Sequence, residues 1–244
     1  MVQFFVVLFV AIPLAKLLFL IAWPSLLERT EANRATAILT KNFGQPYADP
    51  IVDAIGERLL ENSSLKAQFA VLPGSQRNAV CLPNGQIYVW QGLIEETHGD
   101  RDMLAGALAH ELGHLAHNHF LERIQWTAIA RFVLGFAGGS WMRRMLHKTI
   151  ATIVARGFSR GHELQADEAA VAMLIAANFD PEGLIRLLDR LAMTNTPKGN
   201  QLFGTHPEPR SRADRLRKLL SLTPECDDEP KDNIIRFPHN SHSN

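Results

Sequence analysis

The chain has 244 residues, with 25 basic and 25 acidic side chains and a formal net charge of zero. That balance, without any long basic run, argues against a nucleic-acid surface. Cys81 and Cys226 are the only cysteines, too few for a disulfide framework, and neither has the close partner of a C-x-x-C metal knuckle. The length suits one sizeable domain with extensions, and no internal repeat is present.

Residues 2–23, VQFFVVLFVAIPLAKLLFLIAW, are apolar apart from Gln3, Pro13 and Lys16. A membrane span needs ~20 such residues. Membrane helices tolerate a proline kink, and a lysine there can snorkel to the surface. A cleaved signal peptide would carry basic residues ahead of the apolar run and small residues at its cleavage site. Here no Lys or Arg precedes Lys16, and Ala22-Trp23-Pro24 is a poor site. The expectation is an uncleaved anchor over residues 1–25, with a helix lying in the membrane interface as the other reading. Arg29, Arg34 and Lys41 follow the span and lean slightly towards a cytoplasmic C-terminal side.

A domain is expected over residues 26–222. Leu26 to Asn42 reads as a helix closed by Phe43-Gly44. Pro50 opens a second, with Ile51, Ile55 and Leu59 at four-residue spacing and Asn62-Ser63-Ser64 after it. The pattern then changes to strands at Gln68–Leu72, Asn78–Leu82 and Gln86–Trp90, the last two joined by the hairpin signal Asn84-Gly85. A strand here either pairs with an extended peptide backbone or only covers the following helix.

That helix carries the chain's main motif. Asp100 is placed to cap it, and Met103 to Ala109 is an alanine- and leucine-rich run with no proline. His110-Glu111-Leu112-Gly113-His114 follows. Residues four apart share a helix face, so His110 and His114 can hold one metal ion while Glu111 reaches a water on it. The helix is expected to run on towards Phe120. His117 is seven residues past His110, about 10 Å along the axis, so both cannot reach one ion. The glycine break of H-E-x-x-H-x-x-G-x-x-H is absent, with His117 and Phe120 in the places of the glycine and the third histidine. His119, five residues past His114, is expected to point off the ligand face.

A third ligand must then come from another helix. His162 to Val171 is a strong helix former, with Glu163 and Asp167 on one face. One reading makes Glu163 a ligand and Asp167 an outer acceptor for a ligand histidine; the other is a solvated acidic face. His206-Pro207 also reads simply as the start of a helix.

Trp126 to Phe158 is apolar, with Gly135, Gly138 and Gly139 and a basic cluster at Arg143, Arg144, His147 and Lys148. Its uncharged parts are too short to span a membrane. A helical hairpin covering the site is preferred over a helix on the membrane surface. Asp180-Pro181 starts a helix carrying Leu184, Leu187 and Leu191. Thr194 to Phe203 is a polar loop, and Pro207 to Leu222 a basic amphipathic helix. Residues 223–244 are expected to be a disordered polar tail.

Taken together, H-E-L-G-H, Glu163-Leu164-Gln165-Ala166-Asp167, Thr205-His206-Pro207, Asn78 to Cys81, Gly85 to Val89 and His119 resemble the membrane-associated gluzincin peptidases. That superfamily includes the CaaX prenyl proteases and the HtpX, BepA and Oma types. The resemblance covers about residues 66–219 and implies an α+β fold, a mainly helical zincin-like domain with a small sheet before the metal helix. It implies one zinc ion per chain on His110, His114 and Glu163, with Glu111 as general base. It also implies that Asp167 supports a ligand histidine. His206 would stabilise the oxyanion or occupy the ion's open position, and Arg212 and His119 would lie close by. Gly85, Gln86, Ile87, Tyr88 and Val89 would form the substrate strand. Without room for a tetratricopeptide domain and with one expected span, the chain is similar to the smaller, singly anchored Oma-like or LoiP-like form. The implied role is cleavage of unfolded or misassembled polypeptides at a bacterial-type inner membrane. The resemblance favours a periplasmic domain, against the weak charge lean. The runner-up is a zinc-bound chaperone-like or latent binding module with little proteolysis.

Overall fold

The computed structural model describes residues 24–122, 158–193, 206 and 209–222. The expected span, the stretch between the two motif helices before Phe158, the polar loop and the tail lie outside the described residues. Among the described residues no helix is long and apolar enough to cross a membrane.

The architecture is α+β. Helix α1 (Pro24–Phe43) closes with the Gly44 N–H donating to the Thr40 carbonyl at 3.0 Å. Helix α2 (Pro50–Leu60) is capped by Asp49, which accepts from the amides of Ile51 and Val52. Its buried face is Val52, Ile55, Gly56 and Leu59, and Ile51 is 45% exposed. The four-residue series therefore starts one position late, because Ile51 falls on the solvent side of the first turn.

Strands β1 (Gln68–Leu72), β2 (Ala79–Cys81) and β3 (Gln86–Trp90) form one sheet in the order β1-β3-β2. The expected hairpin joins β2 to β3, with the Gly85 N–H donating to the Leu82 carbonyl across Pro83-Asn84. Strand β1 pairs parallel with β3, Gln68 opposite Gln86 through Leu72 opposite Trp90. Side chains alternate between the two faces of a strand. On one face Leu72, Leu82, Tyr88 and Trp90 pack against α1 through Ala32, Ala35, Leu39 and Phe43. On the other, Val71, Ala79, Cys81, Ile87 and Val89 join the main core.

That core is centred on α4 (Arg101–Ala116), which follows the short α3 (Gln91–Glu96). Only Arg101, Asp102 and Leu115 of α4 are not buried, so the helix is enclosed on all sides. Its small residues permit this. A Cβ at Gly106 would lie 2.8 Å from the Leu184 backbone of α6 (Glu182–Met193), and one at Gly113 would lie 2.5 Å from the Ala166 carbonyl oxygen of α5 (Arg160–Ala176). Asp100 caps α4, accepting from the Asp102 and Met103 amides, and its carboxylate also receives Arg186 Nε of α6 at 3.0 Å. Helix α7 (Pro209–Leu222) inserts Ala213 and Leu216 into the same core.

Candidate metal centre

Three helices and one loop residue bring the polar motif residues together inside this apolar frame. Helix α4 contributes His110, Glu111 and His114, α5 contributes Glu163 and Asp167, and α7 contributes Arg212; His206 joins them. All seven are buried, from 0% exposed at His114 to 7% at Arg212.

Four side chains converge on one point. His110, His114, Glu163 and His206 each offer a ligand atom, all within 4.8 Å of one another. His110 Nε2 lies 3.2 Å from His114 Nε2 and 3.2 Å from His206 Nδ1. Glu163 Oε2 is 3.6 Å from His110 Nε2, and Oε1 is 3.5 Å from His114 Nε2. Zinc bonds to nitrogen and oxygen of ~2.0–2.2 Å at tetrahedral angles put ligand atoms ~3.3–3.5 Å apart, so the donor set fits that ion. The charge fits as well. Among the described residues, the buried carboxylates of Glu111, Glu163 and Asp167 against the Arg212 guanidinium leave a formal −2 when the histidines are neutral, as metal ligands must be, and a divalent cation balances it.

The surrounding groups orient the donors. Asp167 Oδ1 sits 2.9 Å from His110 Nδ1, which turns Nε2 towards the centre. Asp167 is held in turn by Arg212, with Nη2 at 2.6 Å and Nε at 2.8 Å, while Arg212 Nη1 lies 2.8 Å from Glu163 Oε2. Burial and the Arg212 charge oppose protonation of His110, yet its hydrogen bonds to Asp167 and Glu163 outweigh them and push it up to about 9. The position therefore favours positive charge. Burial would raise Glu163, but hydrogen bonds from His110, His114 and His206 hold it far below the usual carboxylate range.

His119 lies outside the ligand group and meets His114 from the side away from the centre. Helix α4 ends at Ala116, His117 is its C-cap, and Asn118 adopts a left-handed φ of 54°. The break turns His119 back, so that its Nδ1 meets His114 Nδ1 at 2.9 Å and its Nε2 meets Gln165 Oε1 at 3.0 Å. Burial lowers His119 to about 4, so the ring is neutral. One proton assignment satisfies the chain: His119 Nε2–H donates to Gln165, its Nδ1 accepts from His114 Nδ1–H, and His114 Nε2 is left with a free lone pair at the centre. His117 is not part of the ligand group and stacks on His119. Phe158 stacks on His114, ring centroids 3.9 Å apart.

Gln165 and Phe158 are functional neighbours that the sequence reading missed. The available signal was the three-residue spacing of His162 and Gln165 on one face of α5; Phe158 precedes the extended cap Ser159, and helical spacing does not place it. His162 also stacks on His119.

Glu111 points the other way from the ligand group's supports. Its Oε2 accepts the Cys81 backbone N–H of β2 at 2.8 Å. Its Oε1 is buried with no hydrogen-bond partner among the described residues and lies 3.4 Å from His206 Nε2. The expected substrate strand, Gly85 to Val89, is placed differently: β3 lies between β1 and β2 and is paired along both edges. Its backbone has no free edge for a peptide, because β1 crosses over to pair with it in parallel. The sheet edge at the centre belongs to β2.

An H-E-x-x-H helix meeting a glutamate from a second helix, with a buried carboxylate beside them, matches the donor arrangement of metallopeptidases of the glutamate-ligand type. The chain belongs to peptidase family M48, whose model matches residues 46–220. It is 30% identical over 168 residues to the Schizosaccharomyces pombe protein "Mitochondrial metalloendopeptidase OMA1", covering 67% of this chain and 49% of that one. It is 24% identical over 197 residues to Escherichia coli "Metalloprotease YcaL" (78% and 75% of the two chains). With Escherichia coli "Metalloprotease LoiP" the identity is 25% over 177 residues (70% and 68%). The chain spans 49% and 28% of the lengths of two mitochondrial relatives it matches.

Proposed function

We propose that the chain is a zinc-dependent metalloendopeptidase that hydrolyses peptide bonds of extended polypeptides. The observation that carries this is the placement of a partnerless buried carboxylate oxygen, Glu111 Oε1, beside the convergent His110, His114 and Glu163. Those three residues would hold one zinc ion, with Asp167 and Arg212 orienting them. A zinc ion there supplies a Lewis acid that lowers the pKa of a water towards ~7 and polarises a carbonyl. Glu111 then acts as the base, taking the water's proton and passing it to the leaving amine. The Cys81 amide holds one oxygen of Glu111 and leaves the other to accept that proton. Strand alternation turns the remaining backbone groups of Ala79 and Cys81 away from β3, on the Glu111 side, where an extended substrate would pair. His206 is the candidate to steady negative charge on the substrate carbonyl.

A second reading is favoured by one distance. His206 Nδ1 lies 2.9 Å from Glu163 Oε1 and 3.2 Å from His110 Nε2, within the ligand set itself. There His206 would be a fourth ligand, and the resting protein a latent enzyme or a zinc-bound binding module. Residues 2–23 would anchor the domain of residues 26–222 in a membrane, residues 223–244 would remain a tail, and unfolded or misassembled proteins would be the substrates.

The test is cleavage of an unfolded model protein by the full chain in detergent, unaltered and with Glu111→Gln or His206→Ala, with zinc measured on each. Zinc in all three and loss of cleavage only with Glu111→Gln or His206→Ala supports the enzyme with both roles as assigned. Faster cleavage with His206→Ala supports latency. Absence of zinc from the unaltered protein overturns the ligand assignment.

A further inference from the structure

On the far side of the sheet from β2 lies a groove of about 520 Å³ between α2 and the outer edge of β1. Tyr47, Leu60, Phe69 and Tyr88 line it with apolar surface, and Asp53 and Glu57 line it with charge. The outer edge of β1 is only partly used. Val71 exchanges two backbone hydrogen bonds with Tyr47, at 2.7 and 2.9 Å, in an isolated antiparallel bridge. After Tyr47 the chain turns away, because Asp49-Pro50 begins α2. Gln68 N–H faces β3, where it donates to the Gly85 carbonyl. By alternation, the Phe69 N–H and carbonyl face outward beside Val71's, into the groove. No backbone partner outside the sheet meets them among the described residues.

The charge at this edge is one-sided. Asp53 and Glu57 are one turn apart on α2, and neither forms an ion pair among the described residues. Tyr47 remains 43% exposed although it lines the groove. An unpaired sheet edge invites strand addition unless it is blunted; here Pro46 lies at the end where Tyr47 already pairs, the charged lining residues are both acidic, and the rest are apolar or the neutral Gln68 and Gln86.

We propose that this groove is a second polypeptide site, an exosite that receives a short extended segment of substrate carrying basic and apolar residues. The segment continues the antiparallel pairing that Tyr47 begins, giving its backbone to Phe69, its apolar side chains to Tyr47 and Leu60, and its cation to Asp53 and Glu57. Ala67 to Ala70 matches about four residues of extended chain at ~3.4 Å each. So short a segment binds weakly alone. It contributes when the same polypeptide also occupies the β2 edge, since the second contact is then intramolecular. The site lowers KM for long substrates bearing such a segment and leaves short ones unaffected. This rests on the peptidase reading for its biological use, and its binding chemistry can be measured independently.

The experiment uses the full chain with Glu111→Gln, loaded with zinc, so that bound peptide is not cut. Labelled octapeptides alternating valine with arginine, or valine with glutamate, are titrated by fluorescence anisotropy. The same titrations are run with Asp53→Asn and Glu57→Lys added, two changes on the solvent side of α2. The arginine peptide is expected to bind and to lose about tenfold in affinity with the α2 changes, while the glutamate peptide gains. Methylating alternate backbone nitrogens of the arginine peptide is expected to abolish binding in one register and spare it in the other. Equal binding of both peptides to both proteins overturns the proposal, as does displacement by a short peptide lodged at the β2 edge. A chain ending at Leu222 that binds about tenfold more tightly than the full chain identifies the protein's own tail as the occupant, and the substrate assignment falls. With Glu111 intact, the α2 changes should raise KM for a long basic substrate and leave a pentapeptide unchanged. If nothing is cleaved, the peptidase reading fails, and the anisotropy still decides the groove.

Discussion

His114 and His119 meet nitrogen to nitrogen, Nδ1 to Nδ1, at 2.9 Å. Two imidazoles can share one proton at that distance only if one donates and the other accepts. Gln165 Oε1, an acceptor, decides the direction by requiring His119 Nε2 to be the donor. Changing Gln165→Leu removes that instruction and is expected to weaken zinc binding about 10- to 100-fold, measured by competition with a chromogenic chelator. Gln165→Glu keeps the acceptor and should bind at least as well. Equal affinity across all three proteins would refute the relay.

Gly113 sets the spacing between the two ligand helices. A methyl group there would meet the Ala166 carbonyl oxygen at 2.5 Å, and a backbone atom cannot rotate out of the way. Gly113→Ala should destabilise the fold by about 1–3 kcal/mol in urea unfolding and move Glu163 away from His114, so zinc affinity falls with it. Gly99, where a Cβ meets nothing within 4 Å, supplies the control for zinc affinity.

Among the described residues, Arg212 is the one guanidinium that meets the buried carboxylates of the centre. Removing one partner of a buried ion pair costs roughly 3–5 kcal/mol. Arg212→Met should therefore be strongly destabilising, and adding Asp167→Leu should recover part of the loss without recovering zinc binding. Stripping zinc from the unaltered protein with a chelator removes the divalent charge those carboxylates face and should lower Tm. A melting temperature unmoved by chelation would contradict that charge balance.

Away from the centre, Asp100 links pH to the start of α4. Partial burial acts to raise its carboxyl, but Arg186 and the Met103 and Asp102 amides prevail and hold it below its ordinary 3.8. A carboxyl depressed in the folded state contributes stability that is fully present above the unfolded value. That contribution is lost as pH falls through the folded one. Unfolding free energy should thus drop as pH falls below about 3.8, and Arg186→Met should move the acid transition upward. A transition unchanged by that substitution would show that the Asp100–Arg186 contact contributes nothing.

Much of this was legible locally. Asp49 and Asp100 stand where helix caps stand, Asn84-Gly85 marks its hairpin, and helical spacing puts His110 beside His114, while the choice of Glu163 over a solvated acidic face rested on the family resemblance. What failed depended on breaks and on distance. The partner of His119, outside the ligand group, was not legible, because a continuous helix would carry the ring away, whereas the left-handed Asn118 ends the helix and turns it onto His114. Strand β3 looked like an available edge because a hairpin pairs only neighbours in sequence. The parallel pairing of β1 with β3 joins segments that no short-range pattern connects. Ile51 in place of Val52 is a smaller error of the same kind, a face chosen before its partner was known.

The bond from the Cys81 amide to Glu111 has an evolutionary corollary. The group that aims this carboxylate belongs to the main chain, and every amino acid except proline carries it. The identity of residue 81 can drift without disturbing the carboxylate it orients, provided the new side chain fits the core. Selection at this spot acts on the course of the strand, and a comparison of related sequences should find position 81 varied in chemistry yet never proline.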